Sequence, residues 1–519
     1  MQIGWTPLSI SGQYSHLMIL TVDRRFKILE KSGRKWNVIT DISQILYQYL
    51  SSRPTEKLHT KSATCSREEA TLRNARSKCY SLATNCWSWG PPGEEEQLFT
   101  GQMSGHVIHY SVARGAEVRV TAVYKTQLKE ISCIKFCAVS GQPGILIVCG
   151  SDGRVEVLKV GRNMSSLGYL WEDLDRLVVN KIVIQRHRIN VNVSKDDISL
   201  VLAKGSFCIQ LTLTILNGSK IEINKPTVKN TGMTRIVGLE CHHNKLVYVN
   251  QKSPIQICDT DKLTSGDCVN IEVSRDNYFC QGMAASHSGA VFACLDNIST
   301  FNDHLIVREP GRLVFWTLDS EESAQSRLVE SSDDLSLSAD ILECYRVLLS
   351  HNQDTRSVND LPVSVLWWHY RALLSKTSNS DTSIRELLSS RMMECEAQLR
   401  CDIAIKRIRD NKASQSDVIA SARFIKQFSK NTDYLTEVDT VLDKLPESDW
   451  RCRISGEAED ETLSEVSVVI SRGGHTWPRC VTSQQAVDDT RPGSCGWCKS
   501  LTLSTDCVRC CLCGGPVTR

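Results

Sequence analysis

Eight of the chain's 23 cysteines fall in its last seventy residues, while fifteen are spread through residues 1–449. Cys495-Gly-Trp-Cys498 and Cys510-Cys511-Leu-Cys513 are two C-x-x-C pairs separated by a short loop. Two residues between cysteines let a tight turn aim both thiolates at one ion, and two such pairs give the four donors of a zinc ribbon or zinc finger. Upstream, Cys452, His475 and Cys480 can furnish most of a second tetrahedral site, with Cys507 and Cys511 to spare. The spacing leaves open whether one ion is held or two. Thiolate-rich sets close the coordination sphere, so the expected role of zinc is structural. A segment this small buries too little apolar area to fold without such a staple.

The elements ahead of this segment change character once. Up to about residue 320, short apolar runs are broken by Gly, Asn, Asp and Ser, the pattern of many antiparallel strands. Leu17–Thr21 and Phe26–Leu29, Leu98–Gly101 and Val107–Tyr110, and Ile145–Gly150 and Val155–Leu158 each read as strand, tight turn, strand, and Leu313–Trp316 can close the series. Hairpins repeated in this way suggest propeller blades of about 40–45 residues, of which 320 residues would hold about seven, with a pair of β-sandwiches as the alternative. Residues 51–97 interrupt the pattern with a polar, basic stretch and an acidic run, read as a solvated loop. From Leu335 to Leu445 the period becomes helical, with Leu342, Tyr345 and Leu349 on one face and Ile384, Leu387 and Leu388 on another stripe. Asp381-Thr382-Ser383 supplies a helix start, and Pro362 and Pro446 sit at element edges. Trp367-Trp368-His369-Tyr370 is expected to pack the helices on the propeller, or else to anchor a partner. The expected architecture is therefore multi-domain: an all-β, WD40-like propeller over 1–330, a helical region over 331–449 and a zinc-binding module over 450–519.

Composition bounds what this assembly does. With 519 residues, 41% hydrophobic and 23% charged, the chain is ordinary for globular protein. Sixty-one basic against fifty-nine acidic side chains leave a net charge of +2, so any nucleic-acid contact must be local or indirect. From Trp450 onward eight basic side chains face eight acidic ones, a poor footprint for DNA. No apolar run follows a charged start, and charges interrupt every long apolar stretch, so a soluble intracellular chain with no membrane contact is expected. In a reducing compartment the scattered cysteines are then buried thiols.

Gly473-Gly474-His475-Thr476-Trp477-Pro478-Arg479-Cys480 resembles the G-H-x-W-P-R-C signature of the C-terminal zinc-finger domain in the fourth-polypeptide family of transcription factor IIIC. The hairpins, the helical approach and Gly33-Arg34-Lys35-Trp36 are similar to that family in outline. The family pattern places a C-x-x-C ahead of the histidine, whereas Cys452-Arg453-Ile454 is followed here by Ser455, and Asp488 to Cys507 matches poorly. A neutral hydroxyl is a weak zinc donor, so the upstream site is expected to be the weaker one. The resemblance implies a nuclear subunit of the factor that recognises internal promoters of transfer-RNA and 5S-RNA genes. Its partners would be the other subunits, RNA polymerase III and its initiation factors, with DNA contacted indirectly. Members of the family are also credited with histone acetyltransferase activity. One stretch, Arg453–Ala458, fits the R/Q-x-x-G-x-G/A pattern that holds acetyl-CoA, but it lies beside Cys452 in the cysteine-rich segment and opens no helical pattern, and the chain has no P-loop and no G-x-S-x-G elbow. A scaffold in membrane traffic or ubiquitination, with the same order of parts, is the third class.

Overall fold

The computed structural model describes residues between 2 and 518, and the longest stretches outside the description are 53–66, 299–310, 352–360, 445–453 and 455–464. The chain divides into two compact bodies, one of residues 1–284 with 293–315, the other of 285–292 with 316–519.

The first body is a six-bladed β-propeller. Its first sheet runs β1 (Gln2–Trp5), β2 (Leu17–Leu20), β3 (Phe26–Ser32), β4 (Lys35–Asp41), and after helices α1 (Ile42–Ser52) and α2 (Arg67–Leu82) comes the second, β5 (Thr84–Trp89), β6 (Glu96–Gln102), β7 (His106–Ala113), β8 (Glu117–Lys125). The third holds β9 (Ile131–Val139), β10 (Gln142–Gly150), β11 (Val155–Lys159) and β12 (Ser165–Trp171). The fourth holds β13 (Val179–Asn190), β14 (Lys195–Lys204), β15 (Phe207–Leu216), β16 (Lys220–Ile223) and β17 (Thr227–Asn230). The fifth is β18 (Ile236–His242), β19 (Lys245–Asn250), β20 (Ile255–Asp259), β21 (Val269–Ile271), and the sixth β22 (Tyr278–Ala285), β23 (Phe292–Ile298), β24 (Arg312–Trp316).

The three hairpins legible in the sequence are β2–β3, β6–β7 and β10–β11, the middle pair of successive sheets. Gly105 shows why a glycine closes one of them: its φ is +76°, and a Cβ there would lie 2.3 Å from the Leu128 carbonyl oxygen. The apolar run of β10 does not alternate with polar residues because both faces are buried. Ile145, Ile147 and Cys149 enter a core shared with the fourth sheet, while Leu146 and Val148 enter one shared with the second. Strand β14 divides in the same way, with Ile198, Leu200 and Leu202 on one side and Val201 and Ala203 on the other.

Six blades replace the expected seven or so. The difference arises because the fourth sheet alone extends from Val179 to Asn230, and because residues 42–82 carry two helices. The stretch read as a solvated loop contains α2, the buried first strand of the second blade, and Glu96, which is buried on β6. Its polar residues are helical without an apolar face, so no period announces them.

The second body carries helices α3 (Glu321–Glu330), α4 (Ala339–His351), α5 (Val363–Lys376), α6 (Thr382–Arg409), α7 (Gln415–Phe428) and α8 (Thr432–Leu442). Ser320, Ser414 and Asn431 cap α3, α7 and α8, each side chain accepting from a backbone N–H of the first turn. Asp381 occupies the N-cap position of α6 without a side-chain bond, and Pro362 that of α5. Leu342, Tyr345 and Leu349 are buried with α3 and α5, as their spacing predicts. The second stripe differs: Ile384 and Leu387 on α6 are 52% and 60% exposed. Among the described residues no helix is long and apolar enough to cross a membrane.

After α8 come two small sheets, β25 (Val468–Ile470) with β26 (Thr476–Pro478), and β27 (Gly493–Cys495) between β28 (Leu501–Thr502) and β29 (Val517–Thr518). The aromatic run on α5 divides between two cores of the second body, with Trp368 packed against the cluster that holds Ala290, Leu342 and Tyr345. Trp367 is buried in a cluster with Val481, Leu512 and Val517, and His369 meets the Tyr345 hydroxyl through Nδ1 at 2.9 Å.

Candidate metal centre

Strand β27 delivers Cys495 at its last residue, held by hydrogen bonds on both sides of a tight turn. The Cys495 N–H donates to the Ser500 carbonyl at 2.9 Å, and the Lys499 N–H donates to the Cys495 carbonyl at 3.1 Å. Lys499 closes the turn with a φ of +65°. The Cys498 N–H points at the Cys495 sulfur, 3.5 Å away, so this turn presents both sulfurs on one side. A second turn mirrors it: the Cys510 N–H donates to the Gly515 carbonyl at 2.8 Å, and the Gly515 N–H lies 3.4 Å from the Cys513 sulfur. Gly493 lets the strands close over the site, since a Cβ there would sit 2.7 Å from Val517 Cγ1.

The two turns face each other. Cys495 Sγ is 3.4 Å from Cys513 Sγ, Cys498 Sγ is 3.6 Å from Cys510 Sγ, and all four sulfurs lie within 4.8 Å of one another. Four thiolates around an ion at about 2.3 Å would stand about 3.8 Å apart, so these residues fit a tetrahedral metal. Their protonation gives the same indication. Hydrogen bonds from Cys498, Cys510 and Cys513 hold the Cys495 thiol below the ordinary range, and hydrogen bonding to Cys495 pushes Cys513 up. Four crowded sulfurs cannot all shed their protons without a cation to compensate them.

None of the other sequence candidates that are described joins this cluster. Cys452, Ser455 and Cys507 fall outside the described residues. Cys480 is buried, and its sulfur lies 3.4 Å from the Ser483 N–H nitrogen and 3.3 Å from that of Leu503. His475 is exposed at the β25–β26 turn, its ring 5.8 Å from that of Trp477. Five residues of largely extended chain separate His475 from Cys480, roughly 16 Å at strand rise. Among the described residues, the four cysteines are the only group of three or more such side chains close enough to share an ion. Cys511 is exposed, its sulfur 3.9 Å from the Thr482 hydroxyl.

Two contributors escaped the sequence reading. The Ser500 hydroxyl lies 2.8 Å from Cys498 Sγ and 3.1 Å from Cys510 Sγ, where it can donate to a thiolate. Its position two residues past a C-x-x-C is the only signal it leaves. Trp367 roofs the same cluster from α5, a contact more than a hundred residues distant in sequence that no local pattern reveals. No protein-family model and no curated protein matches this chain.

Proposed function

We propose that this chain is a bridging subunit of transcription factor IIIC in the nucleus, joining the promoter-bound factor to RNA polymerase III and its initiation factors. Its propeller and zinc module would act as binding platforms, and DNA would be contacted through partners. The use the fold makes of the G-H-T-W-P-R-C run supports this reading. Arg479 is buried, its guanidinium donates to the carbonyls of Gln484 and Val468 at 3.2 and 3.1 Å, and it stacks over the Phe424 ring at 5.2 Å. The run therefore ties the hairpin to helix α7, a specific task for a specific string of residues. Gln485, just beyond it, donates to Ser416 and Asp417 on the same helix.

Zinc is the metal we propose for Cys495, Cys498, Cys510 and Cys513, because an all-thiolate tetrahedral set suits that ion. Bound there, it would supply folding energy and leave no open position for substrate. The chain's own residues do the positioning: two tight turns aim the sulfurs, Ser500 orients two of them, and Trp367 excludes water from one side.

Affinity capture of the tagged full chain from nuclear extract tests the proposal. Recovery of the other subunits of that factor is expected, and recovery of coat or ubiquitin-conjugating proteins in their place would overturn it. Histone acetylation by the chain freed of every partner would replace bridging with an enzymatic role.

A further inference from the structure

The first body carries a charged surface that neither blade packing nor the bridging role uses. Every described side chain of α2 from Glu69 to Tyr80 is exposed. Arg73, Arg76 and Lys78 fall within six residues of it. A helix polar all round is one whose partner is water or another molecule.

At the C-terminal end of α2 a groove of about 440 Å³ opens against α1 and the β2–β3 turn, with Arg24, Arg25, Tyr47 and Cys79 on its walls. Two carboxylates share those walls, but Asp23 is matched by Arg25 at 3.1 Å and Asp41 by Lys27 at 3.7 Å. Among the described residues Arg24, Arg73 and Lys78 have no carboxylate partner. On α2 itself Glu69 is exposed as well, one carboxylate against Arg73, Arg76 and Lys78 between residues 69 and 80, so the surface is positive locally in a chain that is nearly neutral overall. Aromatic rings are set among these cations. Tyr47 is 52% exposed, and Tyr80 is 36% exposed with the Arg76 guanidinium 5.3 Å from its ring centroid.

Exposed cations on more than one face of a helix, set among exposed aromatic rings, match a flexible single-stranded nucleic acid that can wrap the helix, its unpaired bases stacking while its phosphates pair. An acidic polypeptide has no use for the rings, and a duplex keeps its bases to itself. Asn74 and Ser77 stand exposed between the cations and can both donate to and accept from a ribose 2′-hydroxyl. We propose that α2 and the adjoining groove bind single-stranded RNA, with phosphates on Arg24, Arg73, Arg76 and Lys78 and bases against Tyr47 and Tyr80. This site does not rest on the bridging role proposed above.

Fluorescence anisotropy of the full chain with a labelled oligouridylate of about 20 nucleotides tests it. Four neutralised phosphates give a slope of log K against log salt of about −3, at about −0.7 per phosphate on a single strand. The variant R73E/R76E/K78E is expected to lose at least about tenfold in affinity and most of that slope. Its melting temperature should be unchanged, because all three side chains are exposed. Tyr47→Ala is expected to weaken binding about tenfold while leaving the salt slope intact, since stacking releases no counterions. Equal affinity and slope in the wild type and the charge-reversed variant would overturn the proposal. So would equal binding of oligothymidylate, tighter binding of duplex, or binding of polyglutamate alone, the last assigning the surface to an acidic polypeptide.

Discussion

Cysteine is used in opposite ways in the two bodies. In the propeller, Cys86, Cys137, Cys149 and Cys208 lie in apolar cores, and although Cys133 is near enough to Cys86 and Cys149 to raise both thiols further, burial is the larger cause. Burial pushes the Cys137 thiol up to about 12 and Cys133 up to about 11, and drives Cys86 and Cys149 well above the ordinary range. These thiols stay protonated and act as small hydrophobes. In the C-terminal module four sulfurs crowd within 4.8 Å, where they could share a cation. The residue type is the same, and its neighbours decide whether it is filler or ligand. The propeller accordingly draws its stability from apolar area, while the module has two- and three-residue strands and a cysteine cluster that could hold a metal ion.

The largest expected effect breaks that contrast open. Cys498→Ser, or exhaustive chelation, should remove about one equivalent of zinc and unfold the module, because structural zinc supplies roughly 10–16 kcal/mol in such folds. The propeller should keep its fold. Alkylation by iodoacetamide followed by peptide mapping reads both at once: Cys495, Cys510 and Cys513 should become reactive while Cys86 and Cys149 remain protected. Loss of protection in the propeller would show that the two bodies do not differ as argued. His475→Ala should leave the four-cysteine ion in place, since His475 is exposed and outside that cluster. Release of two equivalents from the wild type would establish a second, upstream ion.

Next in size is Trp367→Ala. Trp367 is 1% exposed and packs with Cys495, Cys510 and Cys513, so truncation removes the apolar wall of the metal cluster. A loss of about 3–5 kcal/mol is expected for a buried tryptophan. Calorimetry of the full chain should show the transition of the second body shifted downward. An unchanged thermogram would mean that the helices and the module do not share a core.

Ser500→Ala should sharpen the metal assignment without unfolding anything. Its hydroxyl reaches two of the four sulfurs, and groups of this kind set metal affinity by about 10–100-fold. Competition with a chromophoric chelator should show weaker zinc retention at unchanged stoichiometry. Retention equal to wild type would make the hydroxyl a bystander.

What the sequence revealed of these bodies follows the range of each interaction. The β2–β3, β6–β7 and β10–β11 hairpins were legible because an apolar run, a short polar or glycine turn and a second run lie within about fifteen residues. The blade count was not, since it depends on the length of the fourth sheet and on helices inserted between the first two. Helix α2 was hidden because a helix without an apolar face has no period to detect. Ile384 and Leu387 show the converse: periodicity reports that a stripe is apolar, and only tertiary structure decides whether anything covers it. The four cysteines were legible as a set because a C-x-x-C pair is local, and two such pairs need only one crossing to meet. Trp367 was legible as a large aromatic, but its place in a core with Val481, Leu512 and Val517 was not, since the choice among apolar surfaces leaves no trace in its own segment.

The smallest expected effect lies in the propeller, where polar burial is the exception. Glu156 on β11 is 1% exposed, and its Oε2 has no hydrogen-bond partner. Burial raises its pKa, opposed by hydrogen bonds from the Ser166 side chain and the Gln127 backbone and by the charge of Arg154. Tyr124 and Tyr169 also face it, and its charge helps raise the pKa of both phenols. A carboxyl with a raised folded pKa binds its proton more tightly folded than unfolded. Its ionisation therefore costs stability, and the cost grows as pH rises from the unfolded value of about 4.3 through the folded one. Below that window the group is protonated in both states and the cost vanishes. Glu156→Gln keeps the shape and the capacity to accept from Ser166 while removing the charge. The variant should melt above the wild type at pH 8, and the gap should narrow as pH falls through the raised folded pKa toward the unfolded one. A gap independent of pH would assign the effect to packing, and a variant less stable at pH 8 would show that Arg154 outweighs burial.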